Sequence, residues 1–282
     1  MRVVVTGATG TVGSEVLRHL LDRGVEAVAA VRRPDARDLP SGAGRVAYDA
    51  TDPATFGPAV AGADGLFLML PPGAGADLEG VVDAAEAAGV RNIAYLSIQG
   101  AGRNPLLPHR AVEKRLEEGT ARALLLRASY FMQNLSEVHA DDVRRGVVAV
   151  PAGRGRTSFV DARDVAEVAA AWLAGETPPL GEGTAVPVEL TGPQALDYFE
   201  VADTLSDVLG RRVVYTRPGA VEFFRAEREK GREAAFAGVM TALYTSARLG
   251  LAGRLADGVE RALGRPPRSL RQFAEDYADV WR

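Results

Sequence analysis

Two hydrophobic periods alternate along the first half of the chain. Short apolar runs predict buried strands at residues 2–6, 25–31, 45–48, 65–70, 92–97 and 123–127. Between them, apolar residues recur at helical spacing and predict helices at 12–23, from 52–53 onward, 76–88 and 107–118. This alternation is typical of an α/β fold, in which a doubly wound parallel sheet is covered by helices on both faces.

The second half of the chain has a less regular pattern. It predicts strands at 147–151, 187–190 and 213–216, and helices at 163–174, 195–209, 221–233, 239–249, 253–263 and 269–281. Ser269 and Gln272 have the spacing of a capping box for the last helix. We therefore predict one domain over residues 1–150, to which elements from about 156–191 return, and a smaller, mainly helical lobe over 192–282.

A glycine-rich turn joins the first predicted strand to the first predicted helix. Gly7, Gly10 and Gly13 have the spacing G-x-x-G-x-x-G. Gly7 permits a tight turn, Gly10 lets a pyrophosphate approach the backbone, and Gly13 lets the helix pack closely on the strand. The helix N-terminus then offers amide groups and a partial positive charge to phosphates. This context predicts that residues 1–150 form a Rossmann-type NAD(P)-binding domain, whose cofactor contacts include Gly7, Thr9, Gly10, Thr11 and Val12.

The end of the second predicted strand bears on which dinucleotide binds. NAD-binding proteins commonly have a carboxylate there, whereas this chain has Arg32 and Arg33. Guanidinium groups pair with phosphate in a bidentate way, so NADP(H) is the preferred cofactor. Asp35 follows closely, so NAD(H) stays open. Each arginine also has a structural alternative as a solvated surface charge.

Composition argues against several other kinds of site and partner. The chain has no cysteine and three histidines far apart in sequence, so we expect neither thiolate chemistry nor a metal site. Its net charge of -4 argues against nucleic acid as the main partner. The sequence has neither a signal-peptide pattern nor an apolar stretch long enough to span a membrane. We therefore expect a cytoplasmic monomer or homodimer whose partner is a small molecule.

Several stretches carry a resemblance to a known family. They are 7–13 (GATGTVG), 48–53 (YDATDP), 68–72 (LMLPP), 95–97 (YLS), 109–113 (HRAVE), 126–134 (LRASYFMQN), 161–166 (DARDVA) and 264–267 (GRPP). They extend over nearly the whole chain and resemble the NmrA-like atypical short-chain dehydrogenases/reductases, within them the branch of quinone oxidoreductases and triphenylmethane-dye reductases. The resemblance implies that Asp49 accepts a hydrogen bond from adenine and that Leu70 and Pro71 lie under the cofactor. Asp49 is alternatively a turn residue, and Leu70 and Pro71 are as much packing residues as ligands.

One departure from the wider superfamily bears on catalysis. Short-chain dehydrogenases commonly use Tyr-x-x-x-Lys, in which the lysine lowers the pKa of the tyrosine for proton transfer. The only lysines here are Lys114 and Lys230, and Arg110 and Ala226 stand four positions before them. His109 and Glu113 occupy the place of the missing pair.

Candidate catalytic residues lie at and beyond the fifth predicted strand. Ser97 ends this strand, where the fold presents groups to the nicotinamide, and Ile98 and Gln99 follow as further cofactor contacts. His109 is a candidate proton donor or ribose ligand. Glu113, one turn later, is a candidate cofactor contact that orients it. Their structural alternatives are a strand-end turn, a helix cap and a solvated helix charge.

Two residues beyond the sixth predicted strand are candidate substrate contacts. Phe131 and Asn134 belong to the element R-x-x-x-F-x-x-N, which begins at Arg127. An aromatic residue at this spacing is equally compatible with core packing. We expect Arg127 itself to be a buried ion-pair partner.

These features predict an NADPH-dependent reductase that transfers hydride to a quinone-like, conjugated carbonyl or dye-like acceptor bound by the helical lobe. The alternative from another class is a non-catalytic NAD(P)-binding redox sensor, since the NmrA-like family contains such regulators. A third hypothesis, an isomerase or biosynthetic reductase for a natural product, differs in substrate more than in fold. An open apolar pocket beside the nicotinamide would favour an enzyme, and a filled one the sensor.

Overall fold

The computed structural model describes residues 1–33, 39–71 and 75–282. The strands are β1 (Arg2–Val5), β2 (Glu26–Val31), β3 (Gly44–Ala47), β4 (Gly65–Met69), β5 (Asn92–Ile98), β6 (Arg122–Ala128), β7 (Tyr130–Phe131), β8 (Val147–Val148), β9 (Thr157–Val160), β10 (Ala185–Leu190), β11 (Ala195–Leu196) and β12 (Val214–Tyr215). The helices are α1 (Thr11–Asp22), α2 (Phe56–Val60), α3 (Leu78–Ala87), α4 (Pro108–Glu117), α5 (Ala140–Arg144), α6 (Ala162–Leu173), α7 (Tyr198–Leu209), α8 (Ala220–Glu229), α9 (Ala234–Arg248), α10 (Gly258–Leu263), α11 (Leu270–Asp276) and α12 (Ala278–Trp281). Asp35, which left NAD(H) open, and Pro72 of the LMLPP stretch lie outside the described residues.

The central sheet has seven strands in the order β10-β6-β5-β4-β1-β2-β3, and all of its pairings are parallel. The order reverses at β1, because β2 and β3 lie on one side of it and the later strands on the other. Ligands of such sheets bind outside the carboxyl ends of the strands at this reversal. The predicted α/β class and doubly wound parallel sheet are confirmed.

Helices cover both faces of this sheet, as a parallel sheet requires. One face packs against α2, α3 and α4 in a core that includes Phe56, Val81 and Leu116. On the other face α1 packs against α6, and Leu173 of α6 lies against the strand residue Gly65. Leu17 of α1 is fully buried. Each fully buried apolar side chain of this size stabilises the fold by about 1.5–3 kcal/mol.

The chain divides into two compact units. The first comprises Met1–Ala128, Ala162–Leu190 and Asp257–Pro266, and contains the seven-stranded sheet. The second comprises Ser129–Asp161, Thr191–Ala256 and Pro267–Arg282, and contains the small sheets β11-β9-β7 and β12-β8 with six of the helices, α5, α7, α8, α9, α11 and α12. The predicted functional boundaries at 150 and 192 stay a prediction. Among the described helices, none has the length and apolar character needed to cross a bilayer.

Aromatic side chains form the core of the second unit. Tyr198 and Tyr244 are buried and meet edge to face, with ring centroids 5.9 Å apart. Trp281, the last residue of α12, is buried and its indole N–H donates a hydrogen bond to the Leu135 carbonyl at 3.0 Å. The C-terminal helices of the second unit are therefore fixed by buried aromatic contacts and not by helix propensity alone.

Several elements of the second unit differ from the sequence predictions. The helix predicted at 195–209 begins at Tyr198, because Asp197 caps it by accepting hydrogen bonds from the Phe199 and Glu200 amides. The capping box of Ser269 and Gln272 is present, but the helix predicted at 269–281 is two helices, α11 and α12. The sequence patterns predict neither α5 nor β9. In β9 all four residues are buried, polar ones included, so alternation gives no signal.

Candidate functional site

The glycine loop, residues 6–13, is the tight turn between β1 and α1. Gly7 has a φ of +61°, in the left-handed region that favours glycine. A Cβ on Gly13 would lie 2.2 Å from the Gly7 carbonyl oxygen, so a side chain there would displace the loop backbone. A Cβ on Gly10 would have this same oxygen as its nearest neighbour, at 3.3 Å. Gly13 is therefore required for packing, whereas Gly10 leaves an outer surface of the loop open to a ligand.

The N-terminus of α1 lies at the end of this loop and is suited to an anion. Its N-cap is Gly10, which has no side chain to cap the helix, and its first turn contains no acidic residue. Thr9 and Gly10 are exposed, and Thr11 is half-buried. Because α1 is 12 residues long, its aligned peptide dipoles place a partial positive charge at this end. Phosphate groups bind at helix N-termini of this kind.

A pocket of about 340 Å³, which we call the loop pocket, opens beside the glycine loop. It is lined by the loop, the ends of β2 and β4, and the segment after β3: Thr6, Gly7, Ala8, Thr9, Gly10, Ala30, Val31, Arg32, Tyr48, Asp49, Ala50, Thr51, Met69, Pro71 and Ala76. Cofactor and ligand pockets commonly have volumes of roughly 300–1,000 Å³. The volume, the side-chain-free loop and the helix N-terminus fit part of a dinucleotide with its phosphates.

Among the described residues, two charged side chains line the loop pocket. Arg32 is exposed at the first position after β2, and the neighbouring Arg33 is exposed but is not among the lining residues. Asp49 Oδ1 accepts hydrogen bonds from the Thr51 amide (2.9 Å) and the Thr51 hydroxyl (2.8 Å). These bonds, together with the charge of Arg32, lower the pKa of Asp49, so it is a carboxylate at neutral pH. The pocket thus offers a guanidinium, that of Arg32, to pair with a phosphate, and a carboxylate, that of Asp49, to accept a hydrogen bond from a ligand.

Thr6 and Met69 line the loop pocket but were not among the residues singled out from the sequence. The Thr6 hydroxyl donates to the Phe67 carbonyl (3.1 Å) and accepts from the Met69 amide (3.0 Å), which fixes the end of β1 to the end of β4. A Cβ on Gly7 would lie 2.0 Å from Met69 Sδ, so the sulfur lies directly against the Gly7 Cα. Thr6 is identifiable in sequence as the polar residue between an apolar strand and Gly7. The contact of Met69 depends on the pairing of β1 with β4 and has no local signal.

The structure gathers part of the predicted cofactor set around one pocket. The predicted residues that line it are Gly7, Thr9, Gly10, Arg32, Asp49 and Pro71. Thr11 and Val12 begin α1, and Leu70 packs against the apolar core of the first unit. The functional roles of all these residues stay predictions.

A second group of predicted residues joins β5 to α4. Glu113 is fully buried and accepts hydrogen bonds from the Ser97 hydroxyl (2.7 Å) and from Arg127 Nε and Nη2 (2.9 and 2.8 Å). Burial raises the pKa of Glu113, but the hydrogen bonds from Arg127 and Ser97 and the charge of Arg127 outweigh it, and the pKa is lowered. Glu113 is therefore a buried carboxylate whose ligands are protein groups.

His109 lies one turn before Glu113 and also bonds to β5. Its Nδ1 lies 3.0 Å from the Tyr95 hydroxyl oxygen, and Tyr95 is fully buried. Burial lowers the pKa of His109 more than the charge of Glu113 raises it, so the imidazole is neutral at pH 7. Both side chains of the H-x-x-x-E element thus attach α4 to the sheet. We call Tyr95, Ser97, His109, Glu113 and Arg127 the β5–α4 cluster.

The segment after Ser97 packs against the same cluster. Ile98 ends β5, and the Gln99 amide donates to the Ala128 carbonyl at 2.8 Å. A Cβ on Gly102 would lie 2.5 Å from Arg127 Nη2, so the backbone of this turn covers the guanidinium. The prediction that Arg127 is an ion-pair partner is thus met by its bidentate contact with Glu113.

The predicted substrate contacts lie in the second unit. Phe131 is half-buried in β7 and pairs with Val160 of β9. Asn134 is half-buried in the 3₁₀ turn Met132–Leu135, and its carbonyl accepts a hydrogen bond from the His139 amide at 2.9 Å. Their roles toward a substrate stay predictions.

Comparison with known proteins agrees with this geometry. The sequence profile of a family described as NAD(P)H-binding matches residues 7–176. The NAD(P)H azoreductase of Xenophilus azovorans is 33% identical over 287 aligned residues, which cover 98% of each chain. The structure of Citrobacter sp. triphenylmethane reductase with NADP(H) superposes with a TM-score of 0.83 at 25% identity, over 98% of this chain and 100% of that one. The NADPH-dependent quinone oxidoreductase of Escherichia coli superposes with a TM-score of 0.84 at 26% identity, over 100% of both chains.

The match of the family profile includes residues 7–13 of the glycine loop, the lining of the loop pocket except Thr6, and the β5–α4 cluster. The azoreductase alignment extends this likeness to nearly the full length of both chains. The chain therefore belongs to the NAD(P)H-binding family, in its NmrA-like branch of atypical short-chain dehydrogenases/reductases, and is an NAD(P)H-dependent oxidoreductase.

Proposed function

We propose that the chain is an NADPH-dependent reductase of electron-poor small molecules, namely quinones, conjugated carbonyl compounds, azo compounds or triphenylmethane dyes. The observation that carries the preference for NADPH is Arg32, an arginine at the rim of a pocket that also contains the glycine loop. When bound, the reduced nicotinamide supplies the hydride. The acceptor class is supported by the azoreductase, triphenylmethane reductase and quinone oxidoreductase to which this chain is similar.

The residues of the loop pocket bind the cofactor in this proposal. Backbone amides of the glycine loop and of the first turn of α1, among them Thr9 and Val12, hold the pyrophosphate, while the Gly10 amide donates to the Gly7 carbonyl at 2.9 Å. Arg32 pairs with the 2′-phosphate, and Asp49 accepts from the adenine amino group. Each of these roles uses a group that the first unit already holds in place: a helix end, an exposed guanidinium and a carboxylate fixed by Thr51.

The β5–α4 cluster positions β5 and α4 in this proposal and does not transfer the proton. The Ser97 hydroxyl donates its hydrogen bond to Glu113, and Glu113 is held ionised by Arg127. His109 is neutral at pH 7 and bonded through Nδ1 to Tyr95, so it is a weak acid there. Solvent supplies the proton that the reduced acceptor takes up. In this proposal Ser97, Ile98 and Gln99 contact the cofactor only through backbone and packing at the end of β5. Glu113, buried in α4, acts only by holding the cluster together.

The experiment that tests the cofactor site is the pair Arg32→Ala and Arg33→Ala, with NADPH and NADH affinities measured for both. We expect Arg32→Ala to weaken NADPH binding by about 10–100-fold, the loss of a hydrogen bond to a charged group, and to leave NADH binding nearly unchanged. Arg33→Ala, which lies outside the pocket lining, should change NADPH binding by about twofold or less. Equal losses for the two coenzymes would contradict the assignment of Arg32 to the 2′-phosphate.

A second measurement separates the reductase from the redox-sensor alternative. NADPH oxidation is followed with a benzoquinone, an azo dye and a triphenylmethane dye as acceptors. A sensor binds NADPH without consuming it with any member of such a panel, whereas the proposed reductase oxidises it with at least one. The cytoplasmic location and the monomeric or homodimeric state stay predictions for fractionation and light scattering.

A further inference from the structure

We propose that Met69 is a site of reversible oxidation that controls dinucleotide binding, an inference that rests on the proposed function of the loop pocket. The chain has four methionines and no cysteine. Met132 and Met240 are 1% and 7% exposed in the core of the second unit, and Met1 is the exposed first residue. Met69 alone of the four lines the loop pocket, where it is half-buried.

The backbone and sulfur of Met69 are both held in place against the glycine loop. Its amide donates to the Thr6 hydroxyl at 3.0 Å, which fixes the end of β4 beside β1. Its Sδ lies against the Gly7 Cα, since a Cβ built on Gly7 would lie 2.0 Å from it. Gly7 is itself held in a left-handed conformation, so the loop has little freedom to move away from the sulfur.

An oxygen atom added to this sulfur has two directions available, and both oppose cofactor binding. Toward the pocket, it occupies space that the dinucleotide needs. Toward the loop, it is a strong hydrogen-bond acceptor beside the backbone amides that the proposed function assigns to the pyrophosphate. Sulfoxide formation also converts a flexible apolar side chain into a polar one. Because Met69 Sδ packs closely against Gly7, this change in the side chain disturbs the backbone of the glycine loop.

The chemical step requires a peroxide as the oxidant. The thioether sulfur of Met69 attacks one oxygen of hydrogen peroxide, a sulfur–oxygen bond forms and the oxygen–oxygen bond breaks. A proton moves from the transferred oxygen to the departing one, which leaves as water. The sulfur is oxidised by two electrons and the peroxide is reduced by two. Methionine sulfoxide reductases reverse this modification, so the change is a switch and not permanent damage.

Bound dinucleotide protects Met69 in this proposal, because it fills the pocket that this residue lines. Mass action sets the size of the protection: at an NADPH concentration of ten times Kd, about one protein molecule in ten is free, so oxidation slows about tenfold. Protein that is starved of NADPH is oxidised and binds the cofactor more weakly until it is repaired.

The test treats the full-length protein with hydrogen peroxide, with and without NADPH, and follows each methionine by peptide mass spectrometry. We expect Met69 to gain one oxygen atom, about tenfold more slowly with NADPH at ten times Kd. NADPH Kd should rise by about tenfold or more in protein with oxidised Met69, and methionine sulfoxide reductase should restore it. Unchanged oxidation in the presence of NADPH, or an unchanged Kd after complete Met69 oxidation, overturns the proposal.

Three variants keep the test independent of folding. Met69→Leu removes the sulfur with little change in volume, so the ratio of its Kd after and before peroxide should be one, whatever its starting affinity. Met240→Leu should keep the wild-type ratio, because Met240 lies in the core of the second unit. Met69→Gln places a permanent polar group at this position and should weaken NADPH binding without peroxide. A response that survives in Met69→Leu overturns the proposal, while NADPH binding by the untreated wild type keeps the proposed function intact.

Discussion

The loop pocket and the β5–α4 cluster are both built from sequence motifs, but they satisfy their polar groups in opposite ways. In the loop pocket, the N-terminus of α1 has no capping side chain, and the guanidinium of Arg32 is exposed at the rim. In the β5–α4 cluster, Glu113 is fully buried and accepts from both Ser97 and Arg127. The loop pocket therefore leaves polar groups available to a ligand, whereas the polar groups of the β5–α4 cluster bond to one another.

A sequence motif in this domain can therefore have one of two purposes: to bind a ligand or to hold the fold together. A ligand site needs donors that stay available in the folded chain, and glycine provides them by removing side chains. A scaffold needs buried polar groups that are fully paired, because an unpaired one costs about 1–3 kcal/mol. We therefore expect substitutions in the loop to change cofactor binding, and substitutions in the cluster to change stability first.

The largest effect is expected for Gly13→Ala, with Gly10→Ala as its matched control. The Cβ added by Gly13→Ala would lie 2.2 Å from the Gly7 carbonyl oxygen, a clash with backbone that only displacement of the loop relieves. We expect a loss of unfolding free energy of about 3 kcal/mol and NADPH binding weakened by about 100-fold or more. Thermal unfolding and isothermal titration measure the two quantities.

Gly10→Ala separates packing from ligand access. Its Cβ would lie no closer than 3.3 Å to the Gly7 carbonyl oxygen, so the fold should keep its melting temperature within a few degrees. NADPH binding should still fall, because the methyl group stands where the pyrophosphate approaches the loop. Wild-type affinity in Gly10→Ala would remove the loop from the cofactor site.

The next largest effect is expected for Glu113→Gln. The amide keeps the shape of the side chain but removes the carboxylate nearest to Arg127, which is 14% exposed and keeps only the more distant Glu189, at 4.0 Å. We expect a loss of about 3 kcal/mol in the free energy of unfolding at pH 7, the cost of breaking a buried ion pair. Chemical denaturation of both proteins measures this difference.

The pH dependence of Glu113→Gln follows from the direction of the pKa shift. The pKa of Glu113 is lowered in the folded protein from its ordinary value of 4.5. Its ionisation therefore stabilises the fold fully above pH 4.5, and this stabilisation is lost as the pH falls through the folded-state pKa. The stability difference between wild type and variant should narrow in that acidic range. A constant difference down to complete protonation would mean that the charge of Glu113 is not what stabilises the cluster.

The loop pocket and the β5–α4 cluster also differ in how much of their structure could be predicted from the sequence. The six strands at the start of the chain and the glycine loop were predictable, because buried parallel strands are short apolar runs and the loop needs glycine at fixed spacing. His109 and Glu113 were found as a pair, but only the packing of α4 on β5 places Tyr95 and Ser97 opposite them. Burial against β5 is a long-range property, and it turns candidate catalytic groups into paired ones.

Long-range contacts and burial also account for the features that the sequence patterns do not predict. Met69 contacts Gly7 because β1 and β4 are neighbours, although many residues separate them in sequence. In the second unit, β9 contains Thr157 and Ser158 as fully buried polar residues, so no apolar run or alternation marks it as a strand. Local periodicity predicts an element only when one of its faces meets solvent or all of it meets an apolar core.

A smaller effect is expected for Ser97→Ala, which removes one hydroxyl group from the β5–α4 cluster. The Ser97 hydroxyl donates a hydrogen bond to Glu113. When the hydroxyl is removed, Glu113 keeps its two hydrogen bonds from Arg127. We expect a loss of about 1.5 kcal/mol in unfolding free energy and a kcat that changes by about twofold or less. A loss of kcat of about 100-fold, with unchanged stability, would instead return Ser97 to the catalytic role considered from sequence.

The smallest effect is expected for Tyr95→Phe, which removes one hydrogen bond and leaves the imidazole of His109 in place. The cost should be about 1 kcal/mol in unfolding free energy, because the Tyr95 hydroxyl oxygen lies 3.0 Å from His109 Nδ1 and Tyr95 is fully buried. The pKa of His109 is lowered from 6.5 by burial, so its neutral form stabilises the fold above pH 6.5, and this contribution is lost as the pH falls through the folded-state pKa. Stability and histidine titration, followed by NMR, measure both effects.

Kinetics of His109→Asn decide whether this end of the cluster is purely a scaffold. If solvent supplies the proton, kcat of the variant should stay within about threefold of wild type at pH 7 and above, because a neutral imidazole contributes little as an acid there. If His109 donates the proton, kcat should fall by about 100-fold or more, and the wild-type rate should decline as the pH rises through the pKa of His109. The second result would make His109 a catalytic residue, while Glu113 would stay a structural one. Two residues of α4 that are one turn apart would then have different functions, one in proton transfer and one in holding the cluster together.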